Sequence, residues 1–313
     1  MSVSNIPFSN YGVLTGQLFL YAGGRAAFES PSPPISSTEK LSEKKLILLG
    51  GLSDGLLPCP YTDMLEKACQ DQSWSLVQPI ISSSYTGFGN GSLERDCNEL
   101  QELMRYLIEF RNGKEFAIVG HSTGCQDAVY FLENAESSLV SRLKMVALQA
   151  PVSDREGAMQ QEGYTENIAS AEKMVQDGKG QEMVPRSYFW APITAKRFVD
   201  LFSIGGVDDY FSSDYTDDEL AQRLQHVGTH PNLHTALVAF SGSDEYIPSH
   251  VDRKLLSKRL VDAMNTLCSK DGNNSKNVAE LLYLESGNHN LSKGPTDAKT
   301  FVDRISEILN QIN

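Results

Sequence analysis

The chain has 313 residues, 40% hydrophobic and 21% charged, a composition that excludes the disordered and fibrous classes. With 40 acidic against 27 basic residues the net charge is −13, which argues against nucleic acid and anionic membrane as partners, because both require positive surface. Neutral or cationic small molecules remain open as ligands.

The length suits one large α/β domain carrying an insertion, or two small domains, with a core big enough to enclose a reaction site. The cysteines (Cys59, Cys69, Cys97, Cys125 and Cys268) are odd in number and contain no C-x-x-C pair. That pattern points to reduced thiols rather than a disulfide framework or a zinc site. The first 16 residues lack a basic start and an apolar h-region, and no apolar run approaches transmembrane length. A cytoplasmic protein is expected.

In chain order, 13–23 (VLTGQLFLYAG) alternates like a strand and is expected to hairpin with Ala26, Ala27 and Phe28. Residues 29–44, rich in Ser, Pro, Lys and Glu, read as an exposed loop. The short apolar run 45–49 suits a strand buried on both faces of a parallel sheet and ends in Gly50-Gly51-Leu52. A helix is expected over 60–71. A strand follows over 74–81, where Pro79 suggests an edge or a strand end. The Ser/Gly/Tyr stretch after it reads as a loop. An amphipathic helix over 92–110 carries Leu93, Leu100, Leu103, Met104 and Leu107 on one stripe.

Residues 116–119 (FAIV) form the next buried strand and stop at Gly120-His121-Ser122-Thr123-Gly124, with a helix pattern over 125–132. Another strand covers 143–148. From 154 to 231 the chain turns polar, acidic and helical, which reads as an inserted cap. Alternation then resumes, with strands at 235–241 and 279–284 and helices at 251–268 and 296–312. The expected domain plan is a core of 1–153 and 232–313 with a helical cap of 154–231. Strands alternating with helices imply a mostly parallel, twisted sheet with right-handed crossovers, the α/β class.

Strand, G-x-S-x-G, helix is the setting of a nucleophile elbow in the α/β-hydrolase fold. A serine hydroxyl needs a histidine to take its proton and a carboxylate to orient that histidine. In this fold the chain order is Ser, then Asp or Glu, then His, each after a strand. Ser122 follows FAIVG, Asp244 follows TALVAFSGS and His289 follows ELLYLESGN. Glu245 and Asp154 are rival acids. His121, inside the elbow, is expected to point into the scaffold. The oxyanion hole requires two backbone N–H groups. Thr123 and Leu52 are the expected donors, with Gly51 as the alternative to Leu52. The Gly-rich turn at 50–55 is not a phosphate loop, because G-x-x-x-x-G-K-[ST] is absent. No histidine has acids or cysteines at ligand spacing, so neither metal nor cofactor is expected. The acids Asp208, Asp209, Asp214, Asp217, Asp218 and Glu219 read as a solvated face, or alternatively as the mouth of a pocket for a cationic substrate.

GHSTGCQD at 120–127, APVSDRE at 150–156, and PITAKRF with DDYFSSDYTDDEL within 192–220 together resemble the fungal and plant DUF1749 (UPF0613) group of α/β-hydrolases. The resemblance runs from the first buried strand to the last helix. It implies a serine hydrolase with Ser122, Asp244 and His289 at the triad positions. In fungi the group includes intracellular esterases of fusarinine-type hydroxamate siderophores, which implies a small-molecule ester as substrate, cationic or iron-chelating. Two other functions compete with that expectation. One is an acyl hydrolase of lipid or small carboxyl esters or thioesters; the other is a non-catalytic binding protein with the same fold.

Overall fold

The computed structural model describes residues 11–30, 41–268 and 277–312. Its strands are β1 (Gln17–Tyr21), β2 (Arg25–Ser30), β3 (Lys44–Leu49), β4 (Trp74–Pro79), β5 (Glu115–His121), β6 (Leu143–Gln149), β7 (Thr235–Ser241) and β8 (Ala279–Leu284). They make one sheet in the spatial order β1-β2-β4-β3-β5-β6-β7-β8. β4, β3, β5, β6, β7 and β8 run parallel to their neighbours. The hairpin β1–β2 adds antiparallel to β4. This is an α/β-hydrolase fold.

Helices cover both faces, as a parallel sheet requires. α1 (Thr62–Asp71) lies on one face, α2 (Leu93–Phe110) and α3 (Thr123–Asn134) on the other, and the short α4 (Ser137–Val140) follows. The insertion between β6 and β7 holds α5 (Asp154–Ala158), α6 (Tyr164–Gln176), α7 (Ala195–Phe202) and α8 (Asp217–Leu224). α9 (Arg253–Met264) and α10 (Pro295–Gln311) close the chain. Leu65 of α1 packs with Phe301 and Ile305 of α10 under one face of the sheet. Leu100, Leu103, Met104 and Leu107 of α2 pack with Ala128 and Val129 of α3 over the other. Each of these Leu, Ile, Val, Phe and Met side chains contributes about 1.5–3 kcal/mol on burial. The insertion divides in two. Ala171, Phe198, Leu201 and Phe202 form a separate apolar cluster with Phe88, whereas Tyr210, Phe211, Leu220 and Leu224 join the main core.

Two local expectations change. Glu29 and Ser30 finish β2 and are fully buried rather than looped out. The Ser/Pro density just beyond them dominates that window, and residues 31–40 of the expected loop lie outside the described residues. Pro79 does end β4, but β4 is interior, between β2 and β3. The ladder continues past the missing N–H because the next amide, Ile80, donates to the Ala26 carbonyl at 2.8 Å.

The strand order places the site. From β3 the chain moves outward to β4, then returns to β5 on the other side of β3. Loops leaving β3 and β5 therefore diverge to opposite faces, and a crevice opens between their carboxyl ends.

Candidate active site

Ser122 stands between β5 and α3 at φ 52° and ψ −123°. A serine holds such a positive φ only when its surroundings impose it. The glycines on either side explain how. A Cβ on Gly120 would lie 2.2 Å from the Gly124 carbonyl oxygen, and one on Gly124 would lie 2.7 Å from that of Leu49. The sharp turn lifts Ser122 above the strand end at the N-terminus of α3, where amides of the first helical turn have no partner within the helix.

Ser122, Asp244 and His289, distant in sequence, meet here. The Asp244 loop after β7 and the His289 loop after β8 are stitched together. The Gly242 amide donates to the Leu284 carbonyl at 2.8 Å and the Ser243 amide to that of Gly287 at 2.9 Å. His289 Nδ1 donates to Asp244 Oδ2 at 2.8 Å, and His289 Nε2 lies 2.9 Å from Ser122 Oγ. With the proton fixed on Nδ1 by a carboxylate, Nε2 presents a lone pair to the serine hydroxyl. Asp244 is 1% exposed, and its other oxygen accepts from the Tyr246 amide at 3.0 Å.

The rival acids do other things. Glu245 Oε2 accepts from the His289 backbone amide at 2.9 Å. Asp154 accepts from Gln126 Nε2 at 2.9 Å, and burial, reinforced by Asp208, pushes its carboxyl up to about 7. Neither Glu245 nor Asp154 makes the contact to His289 Nδ1 that Asp244 does.

Leu52 and Thr123 both line the cavity of this crevice. The loop comes so close that a Cβ on Gly51 would sit 2.8 Å from that of Ser122. The Gly51 amide already donates to Asp54 Oδ2 at 2.8 Å, and Asp54 N–H returns a bond to the Gly51 carbonyl at 3.0 Å. The Gly51 amide is thus occupied, and the turn it closes carries Leu52 at its tip. Burial pushes the Asp54 carboxyl up, opposed by the Gly51 amide and the charge of His289.

Three contributors were not legible in the sequence. Gln149, fully buried at the end of β6, accepts from His121 Nδ1 at 2.7 Å and from the Tyr61 hydroxyl at 3.2 Å. Its amide donates to the His289 carbonyl at 2.9 Å, so it bridges the loops of β5 and β8. An amide closing an apolar strand was the only available signal. Tyr246 sets its exposed ring edge-on to His289 at 4.5 Å. Asp54 had no pattern to mark it. His121 does point inward, buried, with its ring 4.9 Å from that of His289. Among the described residues no group of His, Cys, Asp or Glu is arranged to hold a metal.

The acids of the insertion are not a uniform solvated face. Asp208 and Asp209 are 3% exposed, the first held by Arg197 and the second by Arg155. Asp214 also pairs with Arg155, Asp217 with Arg259, and Glu219 closes the cap of α8 against Thr216. None of these six lines the cavity beside Ser122. The partners of Asp209, Asp214 and Asp217 are arginines distant in sequence, which local composition cannot reveal.

Comparison with known proteins agrees with this architecture. A UPF0613 protein of Schizosaccharomyces pombe is 32% identical over 272 residues, covering 81% of this chain and 85% of that protein. The fusarinine C esterase sidJ of Aspergillus fumigatus is 27% identical over 300 residues, covering 79% and 82% respectively. The solved structure of siderophore hydrolase EstB from Aspergillus fumigatus superposes with a TM-score of 0.77 at 25% identity, covering 96% of this chain and 98% of that one. These relatives support an esterase function. Among the described residues no helix is long and apolar enough to cross a membrane. The family described as "Protein of unknown function (DUF1749)" matches residues 1–310, and the chain belongs to it.

Proposed function

We propose that the protein is a serine carboxylic-ester hydrolase acting on ester bonds of fusarinine-type hydroxamate siderophores. The observation that carries the chemistry is the series Ser122 Oγ, His289 Nε2 and Nδ1, Asp244 Oδ2, at 2.9 and 2.8 Å, with the serine on a strained turn. The substrate class rests on the relatives that act on siderophores.

In this mechanism Ser122 Oγ attacks the ester carbonyl while His289 Nε2 takes its proton. Asp244 keeps the imidazole in the right tautomer and stabilises it once charged. The amides of Leu52 and Thr123 stabilise the oxyanion, a contribution of about 3 kcal/mol per donor in comparable sites. Leu52 is preferred to Gly51 because the Gly51 amide is bound to Asp54. Collapse passes the proton from His289 to the departing alcohol and leaves Ser122 acylated. Water, deprotonated by His289, then releases the acid and restores the serine. No cofactor takes part. The five cysteines are buried and form no disulfide, as a cytoplasmic setting would have it. The insertion, 154–231, acts as a cap over the acyl site.

Ser122→Ala is expected to lower kcat at least about a thousandfold with the fold intact by circular dichroism. Undiminished turnover by a folded variant would rule out the mechanism. For the substrate, fusarinine C and its acetylated analogue are incubated with the enzyme and ester cleavage is followed by mass spectrometry. Cleavage of either supports the reading. No cleavage of both, beside good turnover of a simple lipid ester or thioester, reassigns the substrate to the latter class.

A further inference from the structure

Beside the Leu52 and Thr123 amides a cavity runs inward along α3. Thr123 and Asp127 both line it, four residues apart and so on one helix face. Asp96 of α2 and Arg197 of α7 also line it, with Ser83, Phe88 and Leu93. Asp127 is 7% exposed and Asp96 is 2%. Asp127 Oδ1 is buried and has no hydrogen-bond partner among the described residues. Native proteins satisfy buried carboxylates, because leaving one unpaired is costly.

The one guanidinium lining the cavity, Arg197, is near enough for its charge to favour both carboxylates, but it hydrogen-bonds Asp208 instead. Arg197 Nη1 is committed to both oxygens of Asp208, at 2.7 and 2.9 Å. Asp96 Oδ1 accepts from the Ser83 hydroxyl at 2.6 Å, which brings no charge. Arg95 approaches Asp96 only to 3.8 Å. Two carboxyls thus face the cavity with one arginine, whose Nη1 is held by Asp208 and whose buried Nε has no hydrogen-bond partner among the described residues.

We propose that this cavity is an acyl-side subsite that takes an alkylammonium group of the substrate, bound by Asp127 Oδ1 with Asp96 beside it. The inference deepens the ester-hydrolase reading of Ser122 and rests on it. Direction follows from the mechanism. The leaving alcohol must face His289, which protonates it, and His289 does not line the cavity. The acyl substituent of a carbonyl seated on the Leu52 and Thr123 amides therefore turns toward Asp127. Four residues of helix rise span about 6 Å, the reach of an ω-amino acyl chain about five carbons long. Without a cation, burial and then the charge of Asp127's neighbour Asp96 push the Asp127 carboxyl well above its ordinary range, and burial pushes Asp96 up to about 6. An entering ammonium replaces a proton that the pair otherwise retains.

The test compares p-nitrophenyl esters of 6-aminohexanoate, heptanoate and 6-carboxyhexanoate, which match in length and carry a cation, a methyl group and an anion. The expected result is a kcat/KM for the cationic ester about tenfold or more above the neutral one, the size of one charge-assisted hydrogen bond, with the anionic ester slowest. Asp127→Asn and Asp96→Asn are each expected to shrink the cationic-to-neutral ratio several-fold, with folding checked by thermal unfolding. Equal turnover of cationic and neutral esters by the native protein, or a preference for the anion at Arg197, overturns the subsite, and neither result depends on a variant that folds. An unchanged ratio in both folded variants overturns it too. Failure to turn over any of the three esters, by contrast, counts against the hydrolase reading itself.

Discussion

At the scale of single residues, the site depends on groups that never touch the substrate. His121 occupies the elbow itself, and its neighbour Ser122 has a backbone no serine adopts freely. Burial, with the charge of His289 adding to it, lowers the His121 pKa from 6.5 to about 3, so the ring stays neutral and donates to Gln149. The unfolded chain takes up a proton near pH 6.5 and the folded one does not until about pH 3. Stability contributed by His121 is therefore present above pH 6.5 and lost as pH falls through that window. At pH 4.5, two units below the unfolded value, the loss is about 2–3 kcal/mol. Urea unfolding at pH 7 and 4.5 checks this. His121→Asn, which can still bond Gln149, is expected to show a fall smaller than the native one by about that amount. Identical falls would mean the ring is not the titrating group.

At the scale of elements, the turn after β3 is the one on which the proposed oxyanion hole depends. Asp54 closes that turn through its Oδ2 bond to Gly51 and its own N–H bond back to the Gly51 carbonyl. In the proposed mechanism it touches no reacting atom and positions the Leu52 amide. Asp54→Ala is expected to lower kcat about 10–100-fold with little change in KM, because the lost interaction acts on the transition state. Asp54→Asn, whose side-chain oxygen can still accept from Gly51, is expected to recover most of the rate. A loss shared equally by both variants, or carried in KM, would place Asp54 outside this role. The bridge of Gln149 between the loops of β5 and β8 works in the same way, fixing how far Ser122 stands from His289.

At the scale of the whole molecule, several acids are tied to bases of the same chain. Arg155, Arg197 and Arg259 tie acids of the insertion, and Lys45 and Arg111 converge on Glu29 beneath the hairpin. Lys45 and Glu29 have fully buried side chains 2.5 Å apart. Burial lowers the Lys45 pKa, and Glu29 works against that. Breaking a buried pair strands the remaining charge, so Lys45→Met is expected to cost about 3 kcal/mol by urea unfolding. A loss under about 1 kcal/mol would mean that Arg111 alone satisfies Glu29.

The residue order alone determined the fold class, because the signals are local. Apolar runs of strand length, helical stripes and the G-x-S-x-G turn each express the backbone and burial demands of a few neighbouring residues. It also determined three candidate residues, since strand-end loops at fixed chain order carry them. What it left open was decided by distance in space. Asp244, rather than Glu245 or Asp154, meets His289 because β7 and β8 lie side by side and their loops are hydrogen-bonded. Of Gly51 and Leu52, it is Gly51 whose amide Asp54 holds. Glu29 is buried because Lys45 and Arg111 come to it, and the insertion's acids find arginines up to 59 residues away. The cavity of Asp96 and Asp127 belongs to the same kind. Its two acids sit one on each of two helices whose packing, not whose sequence, brings them together.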